Sequence, residues 1–169
     1  RLTIEEAQRW HGRYPRIHLE TCPHYLTHTL DMEIGSLGKA NPPFKTRDDL
    51  DTLWAALADG TIEVVASDHV PRTRATKERG IWLASQGFPG TATILPVLLS
   101  EGYHKGRIGL QRICECLTAA PARIFHIDDR KGHIRPGYDG DLTIVDLNLE
   151  REVVAAEQVY TALGPGRVR

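Results

Sequence analysis

Apolar positions along this chain switch between two periods. Leu50, Leu53, Trp54 and Leu57 fall at i, i+3, i+4 and i+7, which makes one apolar stripe on a helix. Thr46 with Asp49 starts that helix and Gly60 suits its C-terminal end. Thr3 followed by Glu6 opens an earlier helix over residues 4–11, and Pro15 ends the linker behind it. Leu110, Ile113, Cys114 and Leu117 repeat the helical spacing, so a helix is predicted over 110–117 with Cys114 facing the core. Further helices are predicted over 93–101 and 120–125. Two runs read as strands, 17–21 and 62–67; the second is a nearly unbroken apolar run, the usual look of a buried parallel strand, and it ends at Asp68.

Between these elements the chain is punctuated. Residues 22–43 read mostly as loop, with Pro23, Gly35, Gly38, Pro42 and Pro43 as breakers. Residues 69–90 read as a basic, irregular loop. After residue 130 the pattern changes: His133-Ile134 and Leu142-Thr143-Ile144-Val145 are short β runs separated by Pro136-Gly137 and Gly140. The order helix, strand, helix, strand, helices, then β argues for parallel βα units followed by a separate β element. In a (β/α) barrel the chemistry sits at the C-terminal ends of strands, and Asp68 stands there.

Composition narrows the class without choosing within it. The chain has 169 residues, 41% hydrophobic and 25% charged, as in an ordinary globular domain. A formal net charge of −1 gives no strong field for nucleic acid or an anionic membrane. No apolar run approaches the roughly 20 residues of a membrane span. Three cysteines, Cys22, Cys114 and Cys116, show no metal-site spacing and fit reduced thiols in a cytoplasmic protein. The chain begins at Arg1 with Met32 its only methionine, which suggests a fragment of something longer.

Few residues offer chemistry on their own. Asp68 can bind a metal or act as a general base, or it can simply cap the turn that follows, with His69 a polar loop residue. His24 and His28, four apart, would share a metal only on a helix; after Pro23 they read instead as solvated or hydrogen-bonded. Gly87-Phe88-Pro89-Gly90 allows close backbone approach to a ligand, or is a plain turn. Arg72 belongs to a basic stretch with Arg74, Lys77 and Arg79, a solvated face unless Arg72 meets an anionic group near Asp68. There is no phosphate-binding glycine loop and no GxSxG elbow.

Several segments, in order, carry a resemblance. They are Glu20-Thr21-Cys22-Pro23-His24-Tyr25-Leu26, Asn41-Pro42-Pro43-Phe44-Lys45, Ala66-Ser67-Asp68-His69-Val70-Pro71 and Gly87-Phe88-Pro89-Gly90. Ala120-Pro121-Ala122-Arg123-Ile124-Phe125 and Gly140-Asp141-Leu142-Thr143-Ile144-Val145-Asp146 continue the series. Together they resemble the amidohydrolase superfamily branch that holds dihydroorotases, hydantoinases (dihydropyrimidinases) and allantoinases.

That resemblance implies an α/β fold: the last βα units of a (β/α)8 TIM-like barrel over residues 1–130, and part of a small β-sandwich over 131–169. A whole barrel takes roughly 250 residues, so this would be a C-terminal portion. It also implies a metal-dependent hydrolase that opens a cyclic amide or ureide, with two zinc ions per complete site. Asp68 looks like the family's final metal ligand and proton carrier, and the remaining ligands are absent from this chain, which contains no HxH. Asn41 resembles the family's substrate-contacting Asn, and Gln86 and Gly87 sit where backbone groups hold the substrate ring. Dihydroorotases commonly read Asp-His-Ala-Pro-His; here Arg72 stands at the last His, where it can still meet a carboxylate. The partner expected is a small molecule, with homo-oligomers common in the family. The alternative is a dihydropyrimidinase-like scaffold that has lost its metals and its catalysis.

Overall fold

The computed structural model describes residues 2–11, 13, 14, 17–153 and 166–168. Pro15 and much of the C-terminal tail lie outside them. Helix α1 spans Leu2–His11, strand β1 Glu20–Thr21, helix α2 Arg47–Asp59 and strand β2 Val64–Val65. β1 and β2 pair in parallel, Glu20 opposite Val64 and Thr21 opposite Val65. A parallel pair needs a crossover, and α2 supplies it.

The crossover helix is fixed at both ends. Thr46 accepts a hydrogen bond from the Asp49 backbone while Asp49 reaches back to the Thr46 backbone, and Gly60 closes the helix at φ 91°. The stripe Leu50, Trp54 and Leu57 is buried, as its spacing requires, and Trp54 Nε1 donates to the Leu26 carbonyl at 3.0 Å. Arg112 reaches across to donate to the carbonyls of Leu57 (2.8 Å) and Ile62 (2.6 Å). It thereby satisfies a last-turn carbonyl of α2 and the backbone entering β2.

After β2 come two short helices, α3 (Arg74–Lys77) and α4 (Gly80–Leu83), inside the stretch expected to be irregular. α5 (Ile94–Val97) runs on into a wide π-helical turn over Leu98–Tyr103. α6 (Leu110–Cys114), a π-helical turn over Glu115–Ala119 and α7 (Ala120–Ile124) form one continuous rod. The rod corrects one expectation. Cys114 is exposed and Cys116 is fully buried, beside Ile113, Ala119 and Ala120. The π-helical turn adds a residue per turn and rotates the buried face away from a strict 3.6-residue stripe.

The tail also differs. Residues 133–134 and 142–145 form no strand, and Ile134 and Ile144 are almost fully exposed. Extended segments become strands only where a neighbour supplies a ladder, and none of the described residues does so here. Further on, β3 (Arg151–Val153) pairs antiparallel with β4 (Gly166–Val168). β1 and β2 are shorter than the runs 17–21 and 62–67 for the same reason: only their overlap is laddered. No helix of the described residues is long and apolar enough to cross a membrane.

Candidate active site

The site grows from the two strand ends. β1 leads into Cys22, in extended backbone, and then a single tight helical turn over Pro23–Leu26. That turn drives the His24 ring inward, where it is 3% exposed and stacks on Phe88 at 5.2 Å. β2 leads to Asp68, which takes a positive φ of 42°, a conformation costly for any residue with a Cβ. The Asp68 carboxylate comes within 3.6 Å of His24 Nε2. It caps no turn: among the described residues His24 is its partner. Cys22 Sγ lies 3.3 Å from the same nitrogen. The potential ligand atoms of Cys22, His24 and Asp68 all lie within 4.8 Å of one another.

Burial sets the charge state of this group. It pushes the Cys22 thiol up to about 12, with the Asp68 charge adding to the effect. It pushes His24 down to about 4, against the pull of Asp68. Tyr25 is raised to about 12, first by burial and then by Cys22 and Asp68. His28 is lowered by burial between aromatic rings, its ring stacked on Phe44 at 5.2 Å. His24 and His28 thus share no helix face; both belong to an aromatic cluster with Tyr25, Phe44 and Phe88.

A cleft of about 690 Å³ opens beside the strand ends, lined by Glu20, Cys22, Tyr25, His28, Asn41 and Asp68 among others. Asn41 and Asp68 therefore share one cavity. Tyr25 Oη donates to the Pro42 carbonyl at 2.6 Å and holds the Asn41 turn in place.

Arg72, Gln86 and Gly87 assemble on the neighbouring segment. Arg72 Nε donates to the Gln86 carbonyl at 3.0 Å. Gly87 N–H donates to the Lys39 carbonyl at 3.1 Å, and the Gly87 carbonyl accepts from Lys77 Nζ at 2.7 Å. The Gly87–Gly90 stretch packs directly on the chain after Asp68: Val70 N–H donates to the Phe88 carbonyl, and Gly90 N–H donates to His69 Nδ1 at 3.1 Å. The close backbone approach that these glycines permit is thus to the protein itself. A Cβ on Gly90 would meet the Ser67 carbonyl oxygen at 2.0 Å.

Three residues take places that sequence spacing did not give them. Lys77, expected on a solvated face, is 2% exposed. Cys22 and His24 carry no sequence spacing to Asp68; the parallel pairing of β1 and β2 brings them together.

Comparison with known proteins agrees with this layout. The profile of the amidohydrolase family ("Amidohydrolase family") matches residues 19–167, and the chain belongs to that family. It is 42% identical over 136 residues to a dihydroorotase of Halobacterium salinarum, covering 79% of this chain and 32% of that protein. It is 41% identical over 143 residues to an allantoinase of Solibacter usitatus, covering 80% of this chain and 31% of the relative. An L-hydantoinase of Paenarthrobacter aurescens is 36% identical over 146 residues, with 83% and 32% covered. Among solved structures, the L-hydantoinase (dihydropyrimidinase) from Arthrobacter aurescens superposes with a TM-score of 0.90 at 32% identity, over 98% of this chain and 39% of that one. The chain spans about a third of the length of the curated relatives it matches.

Proposed function

We propose that this chain is the C-terminal part of a metal-dependent hydrolase that opens the C–N bond of a cyclic amide: dihydroorotate, or a related hydantoin or ureide such as allantoin. The observation that carries the reading is Asp68, just past the end of β2, facing a cleft it shares with Asn41, in a chain whose relatives are named dihydroorotase, hydantoinase and allantoinase. Residues 1–130 would then be barrel and 131–169 part of a β-sandwich. A cytoplasmic setting is supported by three free thiols, and a homo-oligomer is carried by resemblance alone.

The reading gives each residue a task. The family's two zinc ions would lower the pKa of water and polarise the substrate carbonyl. The described residues bring one donor cluster to Asp68, so a two-ion centre needs donors from elsewhere in a complete barrel. Asp68 takes the proton of the attacking water and hands it to the leaving ring nitrogen. Asn41, held by the Tyr25–Pro42 bond, offers its amide to the ring. Arg72 meets a substrate carboxylate, and Gln86 and Gly87 bound the ring. Gly87 can do so through the lone pair that its carbonyl does not give to Lys77.

The test is turnover of dihydroorotate, hydantoin and allantoin by metal-loaded protein that carries this chain within its complete barrel. Asp68→Asn is expected to lower kcat by roughly 10²–10⁴-fold. Undiminished turnover in that variant, or no turnover of any cyclic amide by the parent, would sink the reading. The 169-residue chain alone is expected to be inactive.

A further inference from the structure

Cys22, His24 and Asp68 need an account beyond the tasks just assigned, because two of the three have none. A nucleophilic triad does not fit them. In such a triad the base uses its two ring nitrogens for different partners, one for the nucleophile and one for the orienting carboxylate. Here Cys22 Sγ and the Asp68 carboxylate both face His24 Nε2, at 3.3 and 3.6 Å, and Nδ1 is buried with no hydrogen-bond partner among the described residues.

Three donors whose ligand atoms all lie within 4.8 Å of one another suit a cation instead. With metal–donor lengths of roughly 2.0–2.3 Å, the edges of a tetrahedral site run about 3.3–3.7 Å. The two distances measured from Nε2 lie on or close to that range. Sulfur with imidazole nitrogen selects zinc-class ions over calcium or magnesium. A bound cation would take the Cys22 sulfur as thiolate and displace its proton to solvent. Cys22 and His24 are buried, whereas Asp68 is half exposed to the cleft that Cys22 also lines. An ion would therefore enter from the cleft and keep a position open toward it.

We propose that Cys22, His24 and Asp68 form a three-donor site for one thiophilic divalent cation of the zinc class, with its fourth position open to the cleft. The site uses Asp68, the residue the hydrolase reading gives to metal, and adds two donors which that reading leaves unused. It does not rest on that reading, because it concerns binding by this chain alone and is read without turnover.

The test is titration of the reduced, metal-free chain with Co(II), followed by the thiolate-to-cobalt charge-transfer band. The expected result is saturation at one ion per chain, displacement by one equivalent of Zn(II), and release of a proton. Cys22→Ser should abolish the band. His24→Gln and Asp68→Asn should weaken binding by at least the roughly 10–100-fold that losing even an outer partner costs. Cys114→Ser and Cys116→Ser should leave the band unchanged. A wild-type chain that gives no thiolate band overturns the proposal without any variant. So does a band that survives Cys22→Ser or disappears in Cys114→Ser. Hydrolysis by the complete barrel would stand in either case.

Discussion

Lys77 Nζ donates to the Gly87 carbonyl at 2.7 Å and to the Lys39 carbonyl at 3.0 Å. One buried ammonium thereby ties the Gly87 turn to the segment that leads into Asn41. It also lies over the Phe88 ring at 4.4 Å, so the charge meets a π face as well as two carbonyls. Lys77→Met keeps the length and removes both bonds. The Lys39 carbonyl keeps its bond from the Gly87 N–H, so the Gly87 carbonyl is the one left unpaired, at a cost of about 1–3 kcal/mol. The variant should unfold at clearly lower denaturant than wild type at about pH 10.5, where the cost of burying the charge has gone; an unchanged midpoint there would mean that the two bonds contribute nothing net.

The same lysine predicts a pH dependence. Burial, followed by the nearby Arg72 charge, lowers Lys77 from 10.5 to about 8 in the folded chain. Between those values the unfolded chain binds more protons than the folded one, so stability rises with pH. The penalty of the buried charge is fully present below pH 8 and gone above 10.5. Cys22 and Tyr25 act the other way above pH 9 and 10, because the folded state holds both protonated up to about 12. The gap between wild type and Lys77→Met isolates the lysine, and it should widen from pH 8 to 10.5. A constant gap would contradict the buried charge.

Much of this was legible in the chain, and the losses have one cause. The α2 stripe, its capping box, the terminal Gly60 and a strand within the apolar run before Asp68 are local patterns, and local patterns survive folding. The resemblance carried by the ordered motifs also held at the level of family. What could not be read depends on partners. The β runs near Ile134 and Ile144 needed neighbouring strands that the described residues do not supply. The exchange of Cys114 for Cys116 came from a π-helical turn that no 3.6-residue count anticipates. Lys77 looks like a surface cation until α3 turns it under the Gly87 segment. Cys22 and His24 meet Asp68 only through the β1–β2 register.

Gly90 tests how tightly that register is held. A methyl group there would overlap the Ser67 carbonyl oxygen, directly before Asp68. Backbone rather than a flexible side chain would have to move. Gly90→Ala should cost roughly 1–3 kcal/mol, the usual range for overpacking, and should displace Asp68 relative to His24. Thermal unfolding would report the first effect. Weaker Co(II) binding by a folded variant would report the second; wild-type stability would show that the contact relaxes freely.

Arg112 offers a check on the packing around α2 and β2. Its guanidinium bonds the carbonyls of Leu57 and Ile62 at once through two separate nitrogens, Nε and Nη2, a spacing that a single ammonium in its place would not match. Arg112→Met should destabilise by about 1–3 kcal/mol through the unpaired carbonyls, and Arg112→Lys should recover only part of it. Its ion pair with Glu115 has one well-exposed partner and adds little. Glu115→Gln should therefore leave the denaturation midpoint nearly unchanged, and a large loss there would shift the weight to the ion pair.

Arg72 separates two roles within the proposed hydrolase. Its Nε holds the Gln86 carbonyl, and its remaining nitrogens have no partner among the described residues. If those nitrogens meet a substrate carboxylate, Arg72→Ala in the complete enzyme should raise KM for dihydroorotate by roughly 10-fold or more, since a hydrogen bond to a charged group is worth about 1.5–3 kcal/mol. KM for hydantoin, which has no carboxylate, should stay nearly unchanged. If Arg72 acts only by positioning Gln86, KM and kcat for both substrates should worsen together. Arg72→His should then fail as well, because imidazole cannot reproduce the Nε bond to Gln86. Recovery with dihydroorotate alone in Arg72→His would instead assign this position to substrate choice.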